Sequence, residues 1–239
     1  MSGFLAVLGF ALLPALGNFS GGLLAEFIRT SPRALSWALH AAAGIVIAVV
    51  AVEIMPEAIP KVPGWGLTVA FLLGGAFYMA VDRIVGRVQG AGGSGMWMIY
   101  FAVCMDLFSD GLLIGAGSAA SSSLALVLAL GQLLADVPEG FAAIVNFKGK
   151  DVPRTRRILL SASFAAPVLV AAILAYFLLR DRSETLQMAA IVFTAAPLVL
   201  AAVEDMITEA HESAEDSKIS IVAFLGGFAL FTFVSTSLG

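Results

Sequence analysis

Long runs of Ala, Val, Leu, Ile and Phe alternate with short polar breaks along the chain. A helix needs roughly 20 mostly apolar residues to cross the hydrocarbon core of a bilayer. Eight runs meet that length, at about residues 3–28, 34–59, 65–86, 96–118, 121–146, 157–179, 186–210 and 219–237. The breaks between them are readable. Arg29-Thr30-Ser31-Pro32-Arg33 ends the first run, and Pro60-Lys61-Val62-Pro63-Gly64 ends the second. Gln89 to Gly95 is Gly-rich and reads as a flexible link. Ser121 to Ser123 offer hydroxyls that can cap the fifth helix. Lys148 to Arg157 is the longest basic stretch. The pattern predicts an all-α polytopic membrane protein, one domain over residues 1–239, with no room for a soluble domain. The first run has no basic region before it, so it is expected to be a membrane span and not a cleaved signal. Neither end carries a lipidation box.

Composition agrees with the pattern. Sixty per cent of the residues are hydrophobic and only 13% are charged, against about 25% charged in soluble domains. The net charge of −4 and the lack of a basic stripe beyond one short loop argue against a nucleic-acid partner. The single Cys104 excludes an internal disulfide framework and a Cys-rich zinc site; it is expected to pack as a small apolar residue. Two histidines, His40 and His211, are too few for a His-rich metal centre, and haem is not expected. His40 is near a helix start and reads as structural.

Lys and Arg placement sets the orientation. With the N-terminus outside, the inward connections hold Arg29, Arg33, Arg83, Arg87, Lys148, Lys150, Arg154, Arg156, Arg157 and Lys218. The outward ones hold only Lys61, Arg180 and Arg182. This predicts a multi-pass protein of the cell (inner) membrane with both termini extracytoplasmic.

Against that background four acids stand out. Segment four contains Asp106-Leu107-Phe108-Ser109-Asp110-Gly111, and segment five contains Asp136-Val137-Pro138-Glu139-Gly140. From Met96 to Phe147 there is no Lys, Arg or His. A carboxylate at mid-membrane costs about 2.5–3.5 kcal/mol on insertion scales, and four of them repel one another. Such a group persists when something positive comes to it, a metal ion or protons. Asp106 and Asp110 are spaced i, i+4 and Asp136 and Glu139 i, i+3, so each pair shares a helix face. Pro138 cannot donate to the carbonyl of Leu134. Gly111 and Gly140 follow an acid directly and permit close helix approach, which suggests that segments four and five form a tight pair with the carboxylates between them. Further acids lie toward the segment ends. Glu53 and Glu57 are near the outer end of segment two, and Glu204, Asp205 and Glu209 lead to His211 and Glu212 at the inner end of segment seven. They suit an outer mouth and an inner exit. Glu26 and Asp82 are close to inward Arg residues and are expected to pair locally.

The chain also repeats itself. Phe10 to Leu16 resembles Phe164 to Leu169, Ala51 to Ala58 resembles Ala202 to Ala210, and Phe71 to Phe77 resembles Phe224 to Leu230, in chain order and offset by roughly 150 residues. Segment one starts outside and segment six inside, so the two triplets are inverted. Repeat one covers residues 1–88 and repeat two 156–239, around a central pair at 96–147. Inverted repeats are a feature of transporters with a midplane site.

These residues together resemble the Zrt/Irt-like (ZIP) family of divalent metal transporters, over nearly the whole chain: eight spans, outside termini and a three-two-three arrangement. The family's fourth span carries His-Asn-x-Pro-Glu-Gly. Here Asp106 stands at the His place, Leu107 at the Asn place, Ser109 at the Pro place, and Asp110-Gly111 at the Glu-Gly. The family's fifth span carries a polar residue, an acid, then x-Pro-Glu-Gly; here that reads Ala135-Asp136-Val137-Pro138-Glu139-Gly140. Ala166 stands before Pro167, where family members often have Glu, and the third connection lacks the frequent histidines. In the family, two adjacent metal positions form between spans four, five and six. The loss of the Asn and of the span-six Glu weakens one of them, and the loss of the His and of a polar residue at Ala135 strips nitrogen or amide ligands from the other.

The resemblance implies a secondary transporter moving divalent cations inward, with no enzymatic activity and no organic cofactor. Asp110 and Glu139 are expected as core ligands, with Asp106 and Asp136 completing or gating a single dominant position. The resemblance points to zinc. The all-oxygen set suits harder ions such as manganese; iron and cadmium are further candidates. A homodimer is compatible with the resemblance. Two alternatives stand beside this reading: a family member that senses metal without transporting it, and an intramembrane aspartyl hydrolase. The hydrolase reading lacks a Gly-x-Gly-Asp element and leaves the repeat unexplained.

Overall fold

The computed structural model describes residues 2–28, 31–90, 95–214 and 217–238. Within them the chain forms eight helices long and apolar enough to cross a membrane, and no strand. These are α1 (Ser2–Phe27), α2 (Pro32–Ala58), α3 (Gly64–Gly90), α4 (Gly95–Ala120), α5 (Ser122–Gly149), α6 (Arg154–Leu179), α7 (Glu184–Ser213) and α8 (Lys218–Leu238). Each expected span falls on one of them. Arg29 and Thr30 of the first break, Ala91 to Ser94 of the Gly-rich link, and the side chain of Arg87 lie outside the described residues. The link begins later than expected, because α3 continues through Gln89 and Gly90.

Local chemistry explains the helix ends. The Ser31 hydroxyl accepts from the Ala34 amide at 3.2 Å, with Pro32 in the first turn, where its missing N–H costs nothing. Ser121 caps α5 in the same way at 3.0 Å, so α4 and α5 are joined by a single residue and run antiparallel. The α6 helix is broken at Phe164, between Arg154–Ser163 and Ala165–Leu179. Pro167 cannot donate to the carbonyl of Ser163, which releases the turn. Two helices widen into π turns, α2 at Val49–Ile54 and α7 at Ala201–Met206. The stretches paired by sequence likeness, Ala51 to Ala58 and Ala202 to Ala210, begin in those two turns and run on beyond them.

The interior is formed by α2, α4, α5 and α7, while α3 and α8 turn Leu72, Leu73, Leu225 and Phe233 outward. Four crossings bring backbones together at glycine. A Cβ on Gly140 of α5 would lie 1.9 Å from the carbonyl oxygen of Asn18 in α1, and one on Gly111 of α4 would lie 2.2 Å from that of Val168 in α6. On α8, Gly227 meets Ala41 of α2 at 2.0 Å, and on α3, Gly74 meets Phe193 of α7 at 2.0 Å. Any side chain there forces the helices apart. The two acid-then-glycine motifs therefore do not pack their glycines against each other, as the sequence suggested. Successive residues are about 100° apart around a helix, so each glycine faces a flanking helix and its neighbouring acid points elsewhere.

Gly140→Ala is expected to destabilise the protein by roughly 1–3 kcal/mol, the usual cost of overpacking. Gly226→Ala, with open space around it, should leave stability unchanged or raise it. Thermal unfolding of the two variants in detergent compares them directly.

Candidate metal centre

The antiparallel α4–α5 pair brings acids from both helices together. One oxygen each from Asp106, Asp136 and Glu139 lie within 4.8 Å of one another. Asp136 is buried, while Asp106 and Glu139 are half-buried. Asp110 is fully buried one turn along α4, outside that triad, and its Oδ1 accepts from Gln132 Nε2. Two of these oxygens, Asp110 Oδ2 and Asp136 Oδ2, have no hydrogen-bond partner among the described residues. No ion pair among the described residues reaches any of the four acids. Packed acids without cations cannot all stay ionised unless a cation joins them.

Two cavities meet at this cluster. The larger, about 260 Å³, is bordered by Asp106, Glu139, Asn146, Asp205 and Glu209. The smaller, about 110 Å³, is bordered by Asp106, Ser109, Tyr78, Asp82 and Asp205. Asp106 and Asp205 line both. Of the pathway candidates, then, Asp205 and Glu209 of α7 share a cavity with the cluster. Each is held by a neutral donor: Tyr78 Oη donates to Asp205 at 2.9 Å, and Asn146 Nδ2 donates to Glu209 at 2.8 Å. Glu204 is exposed. His211 lies beside His40, the ring centroids 5.5 Å apart, and His40 Nδ1 is 2.8 Å from the Ser36 carbonyl.

At the opposite end, Glu53 accepts from Ser235 Oγ of α8 at 2.6 Å. Glu57 is bound to Lys61 at 2.7 Å, and Lys61 also reaches Glu184 at 3.2 Å. Glu26 was expected to pair locally, but the pair that the structure describes is long-range: Arg157 of α6, 131 residues on, grips both its oxygens, at 2.6 and 2.9 Å. Asp82 faces the smaller cavity.

Sequence reasoning passed over Gln132, Asn146, Tyr78 and Asn18. The signal for two of them was present. On α5, residues 132, 136, 139 and 146 fall on one helical stripe, so Gln132 and Asn146 continue the face that Asp136 and Glu139 define. Asn18 is fully buried with both side-chain polar atoms unpartnered, but nothing in its apolar surroundings in sequence marks it.

Fold and site together define a polytopic all-α membrane protein with an uncompensated carboxylate cluster at its centre. No protein-family model matches the chain. The chain is 37% identical over 94 residues to the zinc transporter ZupT of Chlorobium limicola. That match covers 36% of this chain and 35% of the relative's length, and it supports a ZIP-like relationship.

Replacing a buried unpaired acid by an apolar residue of similar shape removes its desolvation cost. Asp136→Leu is therefore expected to raise the stability of the metal-free protein by about 1–3 kcal/mol. Thermal unfolding in detergent with a chelator present measures it.

Proposed function

We propose that this chain is a secondary transporter that moves divalent metal cations inward across a cell membrane, with the carboxylates between α4 and α5 as its binding site. The observation that carries this reading is the meeting of Asp106, Asp136 and Glu139 in a stretch without any basic residue from Met96 to Phe147. The partial likeness to a zinc transporter supports metal-ion transport in general. Glu139 acts as a core ligand with Asp106 and Asp136 around it, and Asp110, one turn along α4, adds its charge to the same site. All four offer oxygen, which favours harder ions such as manganese or iron, although zinc and cadmium also accept carboxylates.

The ion approaches past Glu53 and Glu57 and leaves past Asp205, Glu209 and His211. We read α1–α3 and α6–α8 as inverted repeats around α4–α5. The π turns of α2 and α7 at matched positions support this. So do the glycine crossings: exchanging α1 with α6, α2 with α7, α3 with α8 and α4 with α5 turns the α1–α5 crossing into α6–α4, and the α2–α8 crossing into α7–α3. Rocking of such repeats around a midplane site exposes it alternately to each side.

Uptake of a panel of zinc, manganese, iron and cadmium into liposomes tests the reading. The wild type should accumulate at least one of them. Asp110→Asn and Glu139→Gln should insert normally and lose uptake. Protons and metal compete for the same oxygens, so acidifying the loading side should slow uptake. Absence of uptake for every ion refutes transport, and normal uptake by both variants refutes the site. A metal sensor would bind ions without accumulating them.

A further inference from the structure

The face of α5 that carries Asp136 and Glu139 holds one more buried polar side chain. Gln132 is one turn nearer the Ser122 end than Asp136 and is 2% exposed. Its Nε2 donates to Asp110 Oδ1. That single bond leaves three oxygens at this level without a partner among the described residues: Asp110 Oδ2, Gln132 Oε1 and Asp136 Oδ2. Protein interiors leave few such groups, and each costs about 1–3 kcal/mol. Here three occur together, on adjacent turns of two facing helices, and all three are acceptors.

Resting on the transport reading above, we infer that Gln132 is a ligand-supplying, ion-selecting residue: with Asp110 and Asp136 it forms a second cation position, one turn from the Asp106–Asp136–Glu139 triad. Asp136 is shared between the two positions. Two carboxylates neutralise a divalent ion, and the amide carbonyl adds a third, uncharged oxygen. Reaching the ion needs only rotation of the terminal amide, whose torsion is soft. The turn replaces the Gln132–Asp110 hydrogen bond by ion–oxygen bonds, so the donor that restrains Asp110 in the metal-free protein gives way as the ion enters. An oxygen-only set at this step favours hard divalent ions over zinc. Ala135, fully buried one turn away, has no donor atom to offer.

The test is equilibrium dialysis of Mn²⁺ and of Zn²⁺ against the purified full chain in detergent, for the wild type, Gln132→Leu and Gln132→His. Loss of the amide should weaken Mn²⁺ binding by about 10- to 100-fold, the usual effect of removing a partner that orients or completes a metal site. The imidazole should raise the Zn²⁺:Mn²⁺ affinity ratio by about tenfold or more. Gln132→Leu binding both ions within about twofold of the wild type overturns the inference. So does an equal loss for both ions in both variants, which is what a packing role alone gives. Wild-type protein that binds neither ion overturns this inference, and the transport reading is then decided separately by the liposome panel, which also includes iron and cadmium. The expected shifts without liposome uptake uphold the ligand role of Gln132 and reject transport.

Discussion

Four carboxylates on two adjacent helices, with no positive side chain between Met96 and Phe147, form the constraint around which the rest of the structure is arranged. In a low-dielectric interior such charges repel strongly and desolvation penalises each of them. The helices that bear them must be held from behind. The sequence does this with the residue next to each acid. Gly111 and Gly140 lock α4 to α6 and α5 to α1 at backbone distance, while Asp110 and Glu139, about 100° away around their helices, remain free of that packing. Acid and anchor are adjacent in sequence because they serve different faces of one turn.

Among the described residues, no Lys or Arg pairs with the acids of this centre. Arg157 is spent on Glu26, and Lys61 on Glu57 and Glu184, all near helix ends. The acids in and beside the cavities receive neutral donors instead: Gln132 for buried Asp110, Tyr78 for exposed Asp205 and Asn146 for half-buried Glu209. A neutral donor orients a carboxylate without cancelling its charge, so the negative potential survives. A fixed Lys or Arg in the same place would occupy the site permanently. Partly satisfied polar networks of this kind are costly to fold, and they are found where function requires them.

Much of this was legible in the sequence. Eight apolar runs and the Ser121 cap follow from local chemistry and were readable from the chain, whereas the pairing of Glu26 with Arg157, 131 residues away, depends on the tertiary fold. So was the gathering of acids from segments four and five, because i, i+3 and i, i+4 spacing fixes a shared face. What sequence did not reveal depends on rotation about helix axes. Two helices can each present acids and glycines in several ways, and only packing decides that the glycines turn to α6 and α1. The separation of Asp110 from the triad likewise depends on the antiparallel register that brings Gln132 opposite it. Gln132 and Asn146 lie on a readable stripe, yet a neutral amide in an apolar helix carries no energetic alarm comparable to a lone carboxylate.

The central claim is that the carboxylates persist because a divalent cation occupies the space between them. Anomalous diffraction from crystals of the full chain grown with Mn²⁺ tests it most directly. The account predicts a peak bounded by Asp106, Asp136 and Glu139, absent from crystals of the Asp136→Leu variant. A clear anomalous map with no peak at those three residues, or with manganese bound only at surface acids, would contradict it.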